Sequence, residues 1–321
     1  MSLPEAAGLD LGGTKLLTGV VDANQRVHHE SREKTTGASE QEVLDTIVAE
    51  IQEALRARPD IVAAGLGIPA TIDHRRGIAI NAVNLDIRDV PITEVVRERT
   101  GLPVFLDNDA NVAALAEHRF GAAKGAANVV MLTIGTGIGG GLIIGGELYR
   151  GTIGAASEPG HMVVDLNGPP CQGSCPNHGC LETMASGTAL AREGTAAAGD
   201  NPSSALGLAL AREGSVTGKT VTTAALDGDE TALGVIDLVG SRLGVGLSSL
   251  ANIFAPDVIV IGGGVMEAVG DLLLDPAREE LRRRALPPMN ETPVVAAQMG
   301  NDAGMIGAAE MALEESGAVT R

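Results

Sequence analysis

Apolar and polar positions near the start of the chain alternate in short runs. Residues 6–10, 16–21 and 27–35 carry the two-residue period of strands. Gly12-Gly13 and Asp22-Ala23-Asn24 separate them, so the spacing predicts a β-meander. Ser39 followed by Glu42 reads as a capping box, and helical spacing runs from there to Arg58. Residues 61–68 are a near-continuous apolar run, typical of a strand covered on both faces. A short strand is predicted at 77–82, a helix from Pro91 to about Arg99, and a brief strand at 104–106. Residues 108–120 predict a helix with Ala, Val and Leu on one side.

The pattern then recurs. Residues 129–134, 141–144 and 147–149 predict strands around a second glycine-rich turn. A loop region rich in Gly and Cys covers 151–180, and helical segments fill much of 181–255. A strand at 258–261, one helix at 266–284, a strand at 294–297 and a last helix from about Asp302 complete the chain. The strand–glycine turn–strand unit at 6–21 thus returns at 129–144. This weak duplication predicts an α/β protein of two related lobes with a cleft between them. The chain of 321 residues also exceeds the usual size of one core. The boundary is expected near residue 110. The lobes are then 1–110 and 111–301, and the final helix, 302–318, packs back on the first.

Composition narrows the function. The core must be aliphatic, because the chain has three Phe, one Tyr and no Trp against 44% apolar residues. Net charge is −18, which repels phosphate backbones and anionic lipid. Stacking platforms for single-stranded nucleic acid are missing too. Neither nucleic acid nor membrane is therefore an expected partner. Residues 126–146 carry no charge, but their seven glycines read as strands and turns rather than as a spanning helix. The N-terminus lacks the pattern of a signal peptide, and three Cys cannot pair evenly. A soluble cytoplasmic protein is expected.

Several motifs carry chemistry. In Leu9-Asp10-Leu11-Gly12-Gly13-Thr14-Lys15 a strand delivers a carboxylate into a glycine turn. Backbone N–H groups of such a turn can cradle phosphate oxygens, Thr14 adds a donor, and Asp10 can hold the accompanying metal. An ordinary hairpin turn would look the same. The second turn, Gly135-Thr136-Gly137-Ile138-Gly139-Gly140, matches a dinucleotide pattern. That pattern requires a helix, whereas strand-like residues 142–144 follow, so a phosphate-contacting hairpin is expected. Residues 214–220 fall one residue short of a P-loop and are set aside. Gly262, Gly263 and Gly264 end a buried strand, where a flat ligand can approach bare backbone or where the chain simply turns. Asn108-Asp109 lies where a strand gives way to a helix. Asp109 could be a general base or a helix cap; Asn108 fits the cap better. Finally, Cys171, Cys175 and Cys180 lie close after His161, and they are every Cys in the chain. Cys₃His is a tetrahedral zinc set with no position left open to water, so a structural Zn²⁺ is expected.

In this order the motifs resemble the ROK family of sugar kinases, within the actin-like ATPase superfamily. The likeness spans nearly the whole chain. Residues 10–14 resemble the first phosphate motif, 135–137 the second and 262–264 the adenosine motif. Asn108-Asp109 resembles the catalytic pair, residues 151–161 the sugar signature G-x-x-G-x-x-x-E-x-G-H, and residues 175–182 the cysteine motif. The resemblance implies duplicated ribonuclease H-like lobes that transfer the γ-phosphoryl group of ATP to a hexose hydroxyl. It implies that Asp109 accepts the hydroxyl proton, as base or orienting group, and that Asp10 helps to hold Mg²⁺. Gly12, Gly13, Thr14, Lys15, Gly135, Thr136, Gly137 and the 262–264 glycines would hold the nucleotide. Asn84, Asn108, Asp109, Glu158, His161 and Glu182 would bind the sugar, with His161 also on the zinc. Homodimers or homotetramers are implied as well.

Three departures bear on this. The cysteine spacing is C-x₃-C-x₄-C where the family has C-x-C-x₄-C. Ala70 replaces the family's Gly after Gly-Ile-Pro, and Asn84-Leu85-Asp86-Ile87-Arg88 replaces Asn-Leu-Pro-Gly-Trp. Both of the latter lie on the sugar side. Glucose is the expected hexose, with N-acetylmannosamine, N-acetylglucosamine and fructose as alternatives in the same class. A polyphosphate donor is disfavoured because no basic track is visible. The family also contains sugar-responsive repressors with an N-terminal helix-turn-helix, and a non-catalytic sugar-binding protein is a third reading. Only nine residues precede Asp10, so a kinase is expected.

Overall fold

The computed structural model describes residues 3–13, 15–35, 39–82, 85, 87–173 and 175–320. Strands β1 (Glu5–Leu11), β2 (Lys15–Asp22) and β3 (Val27–Lys34) form the meander, and α1 (Glu40–Ala57) follows. The capping box is present: the Ser39 hydroxyl accepts the Glu42 N–H, and the Glu42 carboxylate accepts the Ser39 N–H at 2.8 Å. β4 (Ile61–Ile68) leads to three short strands, β5 (Ala70–Asp73), β6 (Ile78–Ala82) and β7 (Arg88–Val90). Sequence spacing reveals β6 only, because strands of three or four residues show hardly one period. α2 (Ile92–Thr100), β8 (Val104–Asn108) and α3 (Asp109–Arg119) close the first half.

The second half begins with β9 (Val129–Ile134), β10 (Ile138–Ile144) and β11 (Glu147–Leu148). Five helices follow: α4 (Leu181–Ala185), α5 (Gly187–Asp200), α6 (Ala205–Glu213), α7 (Gly218–Leu226) and α8 (Glu230–Phe254). β12 (Val258–Gly262), α9 (Gly264–Val269), α10 (Asp271–Arg284), β13 (Val294–Ala296) and α11 (Ala303–Glu315) complete the fold. The single helix expected at 266–284 is two helices. Gly270, at φ 54°, lies between them in a backbone conformation that no right-handed helix continues.

The duplication holds at the level of topology. One five-stranded sheet has the order β3-β2-β1-β4-β8 and the other β11-β10-β9-β12-β13. In each, the first strand in sequence runs antiparallel to its hairpin partner and parallel to the next strand inward. The charge-free stretch 126–146 contains the β9–β10 hairpin, as its glycines indicate. α8 is long and apolar enough to cross a bilayer by length and composition. However, 56% of its apolar window is buried inside the fold, where Leu243 and Leu247 join β9 and β12 in one core. α11 lies directly on β1 and β4: a Cβ on Gly8 or Gly65 would collide with the carbonyls of Met305 or Ala308. That seat brings the start of α11 to the carboxyl end of β1.

Candidate active site

Asp10 sits near the end of β1, opposite Leu17 of β2. The Gly12 N–H donates to the Lys15 carbonyl at 2.8 Å and closes the turn. Gly13 lies in this turn; Thr14 lies outside the described residues, so nothing is placed for its hydroxyl. The Asp10 carboxylate abuts Gly304 in the first turn of α11, where any Cβ would collide with it. Burial and the nearby Asp109 charge push the Asp10 carboxyl up to about 7, with Lys15 opposing.

Asn108 caps α3 as its position predicts. Its side-chain oxygen accepts the N–H groups of Ala110 at 2.9 Å and Asn111 at 3.3 Å. Its amide donates to the Ala70 carbonyl at 3.3 Å. Asp109 is thereby left at the head of the helix, with one oxygen accepting the Ala110 N–H at 2.9 Å. It keeps part of its surface open to a cavity, and burial pushes its carboxyl up. The position of α3 follows from two glycines of β10. A Cβ on Gly141 would strike Ala114, and one on Gly139 would come within 3.1 Å of the Ala110 Cβ. Bare backbone in β10 therefore lets α3 press down on it and carries Asp109 toward the second glycine turn. The same contact explains why the strand starts at Ile138 rather than at 141.

The second turn is a hairpin, not a helix start. The Gly135 N–H donates to the Gly137 carbonyl at 2.9 Å, and β10 follows. The start of α5 braces it: the Gly187 N–H donates to the Gly135 carbonyl and the Thr188 hydroxyl to the Thr136 carbonyl, both at 2.8 Å. Glu182 braces the other side by accepting the Ile138 N–H at 2.9 Å.

Two cavities flank these turns. Asp10, Asp109, Thr133, Gly262, Gly263 and Gly304 all line one of about 240 Å³. Gly135, Thr136, Gly187, Lys219, Gly264 and Val265 are among those lining the other, of about 670 Å³. The 262–264 glycines contribute to both, so the cavities are neighbours. The larger one has no aromatic residue in its lining, which is glycine, alanine, valine, threonine and lysine. Thr217, Gly218 and Lys219 belong to the stretch set aside as a failed P-loop. Its pattern fits no phosphate loop, and only the packing of α7 beside α5 brings it to the cavity.

Glu158 lies within charge range of His161, Asp109 and Glu182. Glu158 is exposed, yet nearby protein screens its carboxyl from water and pushes it up. The His161 charge opposes this, and the Asp109 and Glu182 charges add to it. Asn84 lies outside the described residues. One ligand atom each from His161, Cys171, Cys175 and Cys180 lies within 4.8 Å of the others. His161 Nδ1 is 3.4 Å from the Cys171 Sγ, and the Cys175 and Cys180 Sγ atoms are 3.9 Å apart. A tetrahedron with metal–sulfur bonds of about 2.3 Å has edges of about 3.8 Å, so the donor set fits zinc in kind and spacing. The longer interval between the first two Cys is taken up by a turn. The Cys175 N–H reaches back to the Gln172 carbonyl at 3.4 Å, and Gly173 adopts φ 60°.

The half-buried Asp10 makes a pH prediction. Its folded-state value lies above its unfolded one, so its contribution to stability is full at low pH and is lost as pH rises toward about 7. The thermal midpoint of the ligand-free protein should therefore fall more between pH 5 and 8 in the wild type than in Asp10→Asn. Parallel melting profiles for the two proteins would remove Asp10 from this role.

Comparison with known proteins agrees with the geometry. The ROK family model matches residues 6–315. A glucokinase from Streptomyces coelicolor is 39% identical over 313 residues, covering 96% of this chain and 97% of that protein. A crystal structure of a ROK family glucokinase from Streptomyces griseus, in complex with glucose and AMPPNP, is 38% identical with a TM-score of 0.84. It covers 96% of this chain and 99% of that one. A ROK family transcriptional regulator, a homologue of the E. coli MLC protein, is 28% identical with a TM-score of 0.85, covering 98% of this chain and 78% of that one. This chain belongs to the ROK family and has its α/β actin-like ATPase fold.

Proposed function

We infer that this protein is an ATP-dependent hexose kinase, with glucose as substrate and glucose 6-phosphate as product. One observation carries the reading: Asp109 stands in the same cavity as Asp10, beside a larger glycine-lined cavity. Phosphoryl transfer asks for positioning and charge neutralisation more than for covalent help. The sugar hydroxyl attacks the γ-phosphorus of ATP, the bond to the β-γ bridging oxygen breaks, and Asp109 takes the hydroxyl proton. Burial raises its carboxyl above the usual range, which strengthens it as a proton acceptor. Glu158, His161, Glu182, Asn108 and Asn84 hydrogen-bond the sugar hydroxyls. No Trp is available to stack on the sugar, so selectivity rests on matched hydroxyls whose loss would leave polar groups unpaired.

The residues also fit the cofactors. Asp10, a half-buried oxygen ligand with a carboxyl poised near neutrality, would hold Mg²⁺, which supplies neutralisation of phosphate charge when bound. The first glycine turn and the Gly135-Thr136-Gly137 turn take the phosphates. Adenosine lies against Gly264, Val265 and the α5 and α7 starts. His161, Cys171, Cys175 and Cys180 hold a structural zinc. A lobe division near residue 110, with one five-stranded sheet on each side, would let closure expel water that otherwise accepts the phosphoryl group. A soluble, cytoplasmic homodimer or homotetramer completes the proposal. The net charge of −18 weighs against nucleic acid and membrane as partners.

The deciding experiment is ADP release coupled to a dehydrogenase, across glucose, mannose, fructose, N-acetylglucosamine and N-acetylmannosamine. Glucose should give the highest kcat/KM. A preference for an N-acetylhexosamine or fructose would move the substrate within the class. Hexose binding without ADP release from any sugar would favour the regulator reading, which the likeness to the transcriptional regulator keeps in view.

A further inference from the structure

Four charged side chains from four separate elements meet behind the Asn108-Asp109 corner. Asp107, the penultimate residue of β8, is fully buried. One carboxylate oxygen accepts the Asn108 N–H at 2.7 Å and the Asn111 side-chain amide at 2.8 Å. The other accepts Arg150 Nε at 2.6 Å. Arg150, whose side chain is 24% exposed, follows β11 and directly precedes the 151–161 segment. Its second nitrogen donates to Glu315 at the end of α11, at 3.0 Å. His74, in the β5–β6 turn, completes the group. Its Nδ1 donates to the Leu106 carbonyl at 2.8 Å, and its Nε2 lies 3.2 Å from Glu315.

Burying a carboxylate is costly unless its oxygens find partners, and here the guanidinium that meets one of them comes from 43 residues away. The same arginine holds the neighbouring loop. Its carbonyl accepts the Ala156 N–H at 3.3 Å, and Gly154 packs so closely on Ile72 and His74 that a Cβ would lie 2.6 Å from the Ile72 carbonyl oxygen. Arg150 therefore ties together two pieces of backbone, one bearing Asp109 and one leading to Glu158.

We propose that Arg150 is a positioning residue for phosphoryl transfer, acting through Asp107 on the placement of Asp109 and through its own loop on Glu158. The proposal rests on the kinase reading above. Arg150 touches no reacting group, so its effect comes from geometry, where a shift of about 1 Å costs on the order of 10²-fold in rate.

Steady-state kinetics on Arg150→Met, Arg150→Lys and Arg150→Met combined with Asp109→Asn tests this. Arg150→Met should lower kcat by about 10²-fold and raise the KM for glucose, while the KM for ATP stays within about twofold. Arg150→Lys keeps one charge against Asp107 but loses the fork to Glu315, so it should recover part of kcat. In the Asp109→Asn background, Arg150→Met should still raise the KM for glucose through the Glu158 loop, but should cost no further kcat and leave the KM for ATP in place, because the reacting group it positions is already gone. A merely structural arginine would lower turnover again there and would shift both KM values, and that result overturns the proposal. If Arg150→Met does not fold, Arg150→Lys decides alone, and wild-type kcat in that variant overturns it. Absence of hexose-dependent ADP release in the wild type would instead remove the kinase reading, and this proposal with it.

Discussion

Replacing Asp109 by Asn should reduce turnover by about 10²- to 10⁴-fold, the usual loss when a positioned base is removed. Hexose affinity measured by calorimetry should change by no more than a few-fold. The substitution keeps the shape of the side chain, and an Asn oxygen can still accept the Ala110 N–H that Asp109 accepts at 2.9 Å. The cap on α3 belongs to Asn108 and is untouched. What disappears is the carboxylate proposed to take the hydroxyl proton. A second signature follows from the pair. The Asp109 charge helps to hold the Asp10 carboxyl up near 7, so the variant should let Asp10 ionise at lower pH. Near-normal turnover in Asp109→Asn would take the catalytic role away from this residue.

Removing zinc should be the other large effect. Metal analysis of the purified protein should find about one zinc per chain. Chelation, or Cys180→Ser, should cut turnover by roughly 10²-fold, the cost of displacing active groups by about 1 Å. The coupling runs through named bonds. His161 ends the 151–161 segment and belongs to the candidate metal cluster, and Cys180 holds the N-cap position of the short helix that carries Glu182. Glu182 in turn accepts the Ile138 N–H and braces the second glycine turn. Release of the loop would thus disturb the proposed sugar-binding residues and the Gly135–Gly137 hairpin together. Metal-free protein with full activity and unchanged thermal stability would sink the zinc proposal. Zinc present but activity retained after chelation would restrict the metal to a stabilising role.

The sequence by itself determined the local elements and their order. Two-residue alternation located β1 to β3, a capping box located the start of α1, and the continuous apolar run at Ile61–Ile68 located a doubly covered strand. The repeated strand–glycine turn–strand unit predicted a duplication, and the two five-stranded sheets share that strand arrangement. These signals are short-ranged: a turn, a cap or a strand face is decided by residues within a few positions of one another. The motif order likewise pointed to the ROK family before any contact was known, because each motif is a contiguous stretch.

Tertiary structure decided what depends on distant partners. β5 and β7 exist because β6 pairs with both, not because their own residues alternate. The glycines at 139–141 look like a loop in one dimension and are a strand in three, because α3 needs bare backbone beneath it. Thr217 and Lys219 reach a cavity only after α7 packs beside α5. Asp107, His74, Arg150 and Glu315 read as unrelated surface charges along the chain. They become one linked cluster around the buried Asp107 because β8, the β5–β6 turn, the segment after β11 and the end of α11 converge behind Asp109. A pairing across 43 or 165 residues leaves no periodic trace in the sequence, since its partners are fixed by the packing of whole elements and not by the chain between them.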